Sequence, residues 1–145
     1  MPHVTLQIAS GGPLIDILVG VSEAREEALL RVGQVVPTPV RIRGLIDTGA
    51  SCTCIDPSAL QSLGLTPTGS TPMLTPSTGA TAHNADQYDV SLVLLHPNLN
   101  LTFPEVAIVE SELSIQGIQA LIGRDVLQGC LFIYDGQTGI FTLAF

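Results

Sequence analysis

The spacing of apolar and polar positions along the chain switches between two periods. Val4 to Ile8 alternates, with Val4, Leu6 and Ile8 on one side, and this predicts a strand. Ser10-Gly11-Gly12-Pro13 predicts a turn, and the mostly apolar run Leu14 to Val19 a second strand. The period lengthens over Ser22 to Val32. There Ala24, Ala28, Leu29 and Val32 share one helical face, and Glu27 stands one turn before Arg31, a favourable pairing. Pro37 and Pro39 mark the exit from that helix. Val40 to Ile46 reads as strand interrupted by Gly44, and Pro57 to Leu63 as a short helix or turn.

From Thr66 to Asn84 the chain is dominated by Pro, Thr, Ser and Gly, with Met73 and Leu74 the only sizeable apolar residues. Such a stretch is too polar for core and long for a plain loop, so a mobile hairpin or lid is expected. Strand patterns return at Tyr88 to Leu95 and Leu101 to Val109, and Leu121 to Gln128 reads as strand running into a short helix. Leu131 to Tyr134, an Asp135-Gly136 turn and Ile140 to Phe145 predict a closing hairpin. The fold expected is all-β: a small closed or partly closed barrel with one or two short helices.

Composition narrows the function. A chain of 145 residues suits one domain over residues 1–145, and 46% apolar residues supply a core. Charged residues make up only 12%, which excludes a solvating, disordered chain. The formal charge is −8, there is no Lys, and the five cations are Arg25, Arg31, Arg41, Arg43 and Arg124. No nucleic-acid partner is expected, because such a chain cannot build the basic face that displaces counterions. A polybasic membrane role fails for the same reason. No apolar run approaches the ~20 residues needed to span a bilayer, and Met1-Pro2-His3 lacks the basic start of a signal peptide. Cys52, Cys54 and Cys130 are an odd set with no disulfide framework, which suits a reducing, cytoplasmic location.

The chemistry concentrates in Leu45-Ile46-Asp47-Thr48-Gly49-Ala50-Ser51. Two large apolar residues deliver a carboxylate to the end of a buried strand, Gly permits a tight turn, and small neighbours leave room for a substrate or a second copy of the loop. An Asp-Thr-Gly triplet alone is a common turn. Its companion is Ala120-Leu121-Ile122-Gly123-Arg124-Asp125-Val126-Leu127, farther along the chain. Together, in this order, the two segments resemble the retropepsin-like aspartic proteases, the family of the retroviral proteases. Those carry Asp-Thr-Gly-Ala after an apolar pair, and later an apolar pair, Gly and Arg opening a short helix. Pro2-His3-Val4-Thr5-Leu6-Gln7 is similar to the retroviral amino-terminal strand, and Gln87-Tyr88-Asp89 to the segment leaving the flap.

The resemblance implies a homodimeric aspartic endopeptidase without metal or cofactor, acting on peptide or protein. Asp47 would be catalytic, paired with its copy from a second subunit. Thr48, Gly49 and Ala50 would support the active-site loop. A flap within residues 66–86 would close over an extended peptide, with Ser77, Thr78 and Gly79 at its substrate-binding tip. Leu121, Ile122, Gly123 and Arg124 would be structural neighbours of the site. Three departures stand out. Retroviral enzymes have a carboxylate where Ser51 stands, pairing with the residue matching Arg124, so the partner of Arg124 is open and Asp125 is one candidate. Residues 22–37 have no retroviral counterpart and read as an insertion. The tail beyond Gly129 is longer and ends in its own hairpin, which would replace the sheet that retroviral termini build between subunits.

Other chemistries are weaker. Cys52-Thr53-Cys54 lacks the second pair a metal site needs, so packing beside the loop is expected. His3, His83 and His96 are scattered, and Glu23, Glu26 and Glu27 read as a solvated helix face. A two-carboxylate glycosidase is disfavoured by the Thr-Gly context. The runner-up function is a retropepsin-like dimerisation or peptide-binding module without turnover.

Overall fold

The computed structural model describes residues 1–74 and 79–145. Among these residues the order is β1 (His3–Gln7), β2 (Leu14–Val21), α1 (Glu23–Arg31), β3 (Val40–Ile46), β4 (Cys54–Ile55), α2 (Pro57–Ser62), β5 (Gly69–Met73), β6 (His83–Leu94) and β7 (Leu101–Glu110). A 3-10 turn at Ser114–Gln116 follows, then β8 (Ala120–Ile122), α3 (Arg124–Leu127), β9 (Leu131–Asp135) and β10 (Ile140–Ala144). Strands β2, β3, β8, β4, β7 and β6 are neighbours in that order, and β6 pairs back onto β2, so six strands close into a ring. The β3–β8 and β4–β7 pairs are parallel and the other pairs antiparallel. Strand β5 lies outside the ring on β6, and β1, β10 and β9 form a separate three-stranded sheet.

The ring exists because its strands alternate. Along β2, buried Ile15, Ile17 and Val19 alternate with half-exposed Leu14, Asp16 and Leu18, and on β6 buried Tyr88, Val90, Leu92 and Leu94 alternate in the same way. These side chains meet Ile42, Ile55, Ile108 and Ile122 in one core, which Phe141 and Leu143 of the terminal sheet complete. A bulge between Val90 and Leu92 shifts the β6–β7 register, where Pro104 lies on β7; a bulge is where a strand tolerates a residue without an N–H.

The β-rich barrel with few short helices agrees with the pattern in the sequence, and the differences have local causes. Helix α1 begins at the Ser22 cap, whose Oγ accepts from the Arg25 N–H at 3.3 Å. Yet only Leu29 of its predicted apolar face is buried; Ala24, Ala28 and Val32 are exposed. The helix rests on the outside of the barrel near β7. Gly44 does not interrupt β3: a Cβ there would stand 3.1 Å from Ile122 Cδ1, so Gly lets β3 and β8 pack closely. The expected closing hairpin is β9–β10, and β1 joins it, so both end segments pair within one chain.

Candidate active site

Strand β3 ends at Ile46 and hands Asp47 to the loop that follows. Parallel pairing sets Ile46 opposite Ile122, and the Asp47 N–H continues the ladder by donating to the Ile122 carbonyl at 3.0 Å. After the loop the chain returns as β4, which pairs with the other side of β8. The loop therefore straddles β8, flanked by its own two strands. Asp47 is half-buried, and its Oδ1 accepts from the Gly49 N–H at 2.9 Å. Among the described residues its second carboxylate oxygen has no protein hydrogen bond, so it is open to water or another carboxyl group.

The end of β8 fits inside this loop. A Cβ on Gly123 would lie 2.5 Å from the Cys52 carbonyl carbon, so only Gly fits. The Gly123 N–H donates to Thr53 Oγ1 at 3.1 Å, and Thr53, fully buried, donates from Oγ1 to Asp125 Oδ1 at 2.7 Å. The Thr53 N–H adds a 2.9 Å bond to Asp125 Oδ2. Arg124 holds the other limb. Its N–H donates to the Ala50 carbonyl at 3.0 Å, and Nη1 donates to the carbonyls of Thr48 at 2.9 Å and Gly49 at 3.2 Å. Backbone oxygens thus receive the guanidinium. Asp125 is not its partner, because that carboxylate is committed to Thr53 and to the Val126 N–H.

Asp47, Thr48, Gly49, Ala50, Ile122, Gly123 and Arg124 are accordingly in one bonded cluster. Leu121 is half-buried with Leu45, Cys52 and Met73 against a small apolar group of Cys54, Ala85, Val109, Leu113 and Ile118. This group links the loop to β5 and β6. Burial, reinforced by neighbouring Cys52 and by the carboxylates of Asp125 and Asp47, pushes the Cys54 thiol up to about 12. Of the expected flap residues, Gly79 lies in a turn at the approach to β6 with a left-handed φ of 62°; Ser77 and Thr78 lie outside the described residues. Gln87 pairs with Gly69 of β5 and Val109 of β7, so Gln87-Tyr88-Asp89 is where the β5–β6 hairpin merges into the barrel.

Thr53 and Asp125 brace each other, a contact the sequence did not suggest: Asp125 stood there only as a candidate partner of Arg124. A lone Thr between two Cys, and an Asp far along the chain, give no periodic signal that they meet. No metal-binding group of three or more His, Cys, Asp or Glu occurs among the described residues. No helix among them is long and apolar enough to cross a membrane.

The fold is that of the retropepsin-like aspartic proteases. The chain matches the aspartyl protease family model over residues 30–126 and belongs to that family. Its fold is similar to that of a retropepsin-like aspartic protease from Rickettsia conorii, with a TM-score of 0.60 at 17% identity, covering 97% of this chain and 89% of that one. The retroviral protease-like domain of Ddi1 from Leishmania major is more distant, with a TM-score of 0.43 at 11% identity over 86% of this chain and 83% of that one. No curated protein sequence matches the chain.

Proposed function

We propose that this chain is a homodimeric aspartic endopeptidase, a single retropepsin-like domain over residues 1–145 that cleaves peptide bonds in a reducing, cytoplasmic setting. The observation that carries the reading is the Asp47 carboxylate, held on one oxygen by the Gly49 N–H and, among the described residues, without a hydrogen bond on the other. The chain has one Asp-Thr-Gly, so a pair of such carboxylates needs two chains about a two-fold axis. Two carboxyl groups that close cannot both ionise; they share a proton and titrate together. The ionised member takes a proton from water as it attacks, and the protonated member donates to the scissile carbonyl oxygen.

The remaining residues have supporting roles in this reading. Arg124 and Gly123 fix the loop so that Asp47 needs no reorganisation. Thr48 is exposed while Arg124 holds its carbonyl, which leaves its side chain free to bond across the two-fold axis. Gly49 and Ala50 keep the approach small. Half-buried Leu45, Leu121 and Met73 form an apolar wall between loop and hairpin, suited to hydrophobic side chains beside the cleaved bond. The hairpin, with Gly79 in the turn that leads into β6, covers an extended peptide by strand-type bonding.

The test is a peptide-library digest with and without pepstatin, repeated with Asp47→Asn. Asn preserves the shape of the loop but cannot accept the proton of water. The variant should fold and dimerise yet lose turnover. Equal amounts of wild type and variant, fully exchanged, should keep about one quarter of the all-wild-type activity, because each site needs both carboxyl groups. A value near one half would assign a complete site to each chain and overturn the shared-pair mechanism. No cleavage by wild-type dimers would favour the module without turnover.

A further inference from the structure

Strand β1 pairs on one side only, with β10, among the described residues. The direction of its peptide groups follows from two flanking bonds in the same register. The Phe145 N–H donates to the Pro2 carbonyl at 2.9 Å, and the Ile8 N–H to the Gly139 carbonyl at 2.8 Å. Bonded and non-bonded pairs alternate along an antiparallel ladder. Val4 and Leu6 therefore turn their N–H and C=O groups onto β10, while His3, Thr5 and Gln7 turn theirs away. His96 Nε2 meets the His3 carbonyl at 3.0 Å on that outer side, as the alternation requires. The peptide groups of Thr5 and Gln7 have no strand beside them among the described residues.

They open onto a groove of about 650 Å³ between β1 and the barrel wall of β2 and β3. On that wall two guanidiniums share one carboxylate. Arg41 donates to Asp16 Oδ2 from Nη2 at 3.0 Å and from Nε at 3.3 Å, and Arg43 Nε donates to Oδ1 at 3.1 Å. The excess is one positive charge, on a protein with a net charge of −8 and only five cations. Both arginine side chains stay well exposed, at 65% and 60%. Arg43 commits only Nε among the described residues, so its two terminal nitrogens are available for a second carboxylate.

We propose that this groove is a second peptide site, separate from Asp47, that takes an extended acidic segment of a partner protein as an added strand on β1. Thr5 and Gln7 supply backbone bonds to any extended chain, and Arg43 selects one with a carboxylate on its barrel-facing side. The site does not depend on turnover at Asp47.

The experiment uses Asp47→Asn protein, so that cleavage cannot interfere, and the anisotropy of a short labelled peptide alternating Glu and Val. A companion peptide carries Gln in place of Glu. The acidic peptide should bind about tenfold more tightly, the scale of one charge-assisted contact, and should weaken with added salt. Arg43→Gln leaves the Arg41–Asp16 pair in place and should remove that preference. Gln7→Pro deletes an outward N–H without touching the β10 ladder, and should weaken both peptides. Equal affinity for the two peptides, or an unchanged preference in Arg43→Gln, would overturn the proposal. So would unaltered binding by Gln7→Pro protein of native circular dichroism; if that variant does not fold, the Arg43→Gln comparison decides alone. Sedimentation of the protein without peptide covers the other occupant: a dimer dissolved by Arg43→Gln assigns the groove to a second copy and also sinks the idea.

Discussion

At the scale of single residues, the candidate site is held by contacts with no slack, and each predicts a loss. Gly123→Ala drives a Cβ into the Cys52 backbone, which cannot yield as a side-chain tip would. We expect destabilisation at the upper end of the roughly 1–3 kcal/mol typical of overpacking, read as a lower urea midpoint at unchanged slope. Thr53→Val keeps the shape but strands the Gly123 N–H and removes the hydroxyl bond to Asp125 Oδ1, leaving that oxygen only the Val126 N–H. Its expected cost is about 1–3 kcal/mol. Cys54, buried with its thiol pushed up to about 12, should resist alkylation at neutral pH in the folded protein and react on unfolding, which mass spectrometry of labelled peptides reads directly. Legibility at this scale was uneven. Asp47, Gly49, Gly123 and Arg124 stood out because backbone geometry and loop anchoring demand those residue types at fixed places in a motif. Thr53 did not, and Asp125 was read only as a candidate partner of Arg124, since a hydrogen bond between residues 72 positions apart leaves no local imprint. The partner of Arg124 was unreadable for a related reason: backbone carbonyls carry no residue identity.

At the scale of elements, strands with one buried face were legible, and those lacking such a face were not. Strand β2 is an almost continuous apolar run and β6 alternates from Tyr88 onward, so both were placed, although β6 begins earlier, at His83. Strand β4 has two residues, too few to show any period. Strand β5 reads Gly-Ser-Thr-Pro-Met and is extended because β6 offers it a ladder; Pro72 is tolerated on an outer strand. Helix α2 illustrates a link that crosses elements. Its cap, Asp56, accepts from the Ser58 N–H at 3.0 Å and Oγ at 2.7 Å, and its other oxygen accepts from the Leu113 and Ser114 N–H groups at 2.9 Å. Burial pushes this carboxyl up, but the bonds from Ser58, Leu113 and Ser114 outweigh it and hold it below the ordinary 3.8. The folded state therefore binds this proton less readily than the unfolded chain. The stabilisation is full above the ordinary carboxylate value and fades as pH falls through the lower folded value. Urea titrations should show wild type losing stability below about pH 4, with Asp56→Asn, less stable at neutral pH, losing less over the same interval.

At the scale of the molecule, charge and topology set how copies meet and how the fold opens. Two chains of net charge −8 repel, so the proposed dimer should tighten as salt screens them. Sedimentation velocity at low and high salt checks this; a dimer that weakens with salt would mean that attractive ion pairs dominate the interface. In that proposed dimer, a proton shared between the two Asp47 carboxyl groups should give a bell-shaped activity profile with an acidic optimum. The chain's isoelectric point of about 4.5 places minimum repulsion in the same range. The closed ring has a further result, in the timing of amide proton exchange. Every strand of the ring has a neighbour on both sides, so no member can peel away without breaking the closure. Among the described residues, strand β5 has one neighbour and hangs outside. Amides of the ring strands β2 and β3 should exchange only when the whole chain unfolds, at one common, slow rate, while those of β5 exchange early and independently. The enclosure that holds Asp47 still would thus coexist, in one short chain, with an outer strand that can detach and reseat many times between unfolding events.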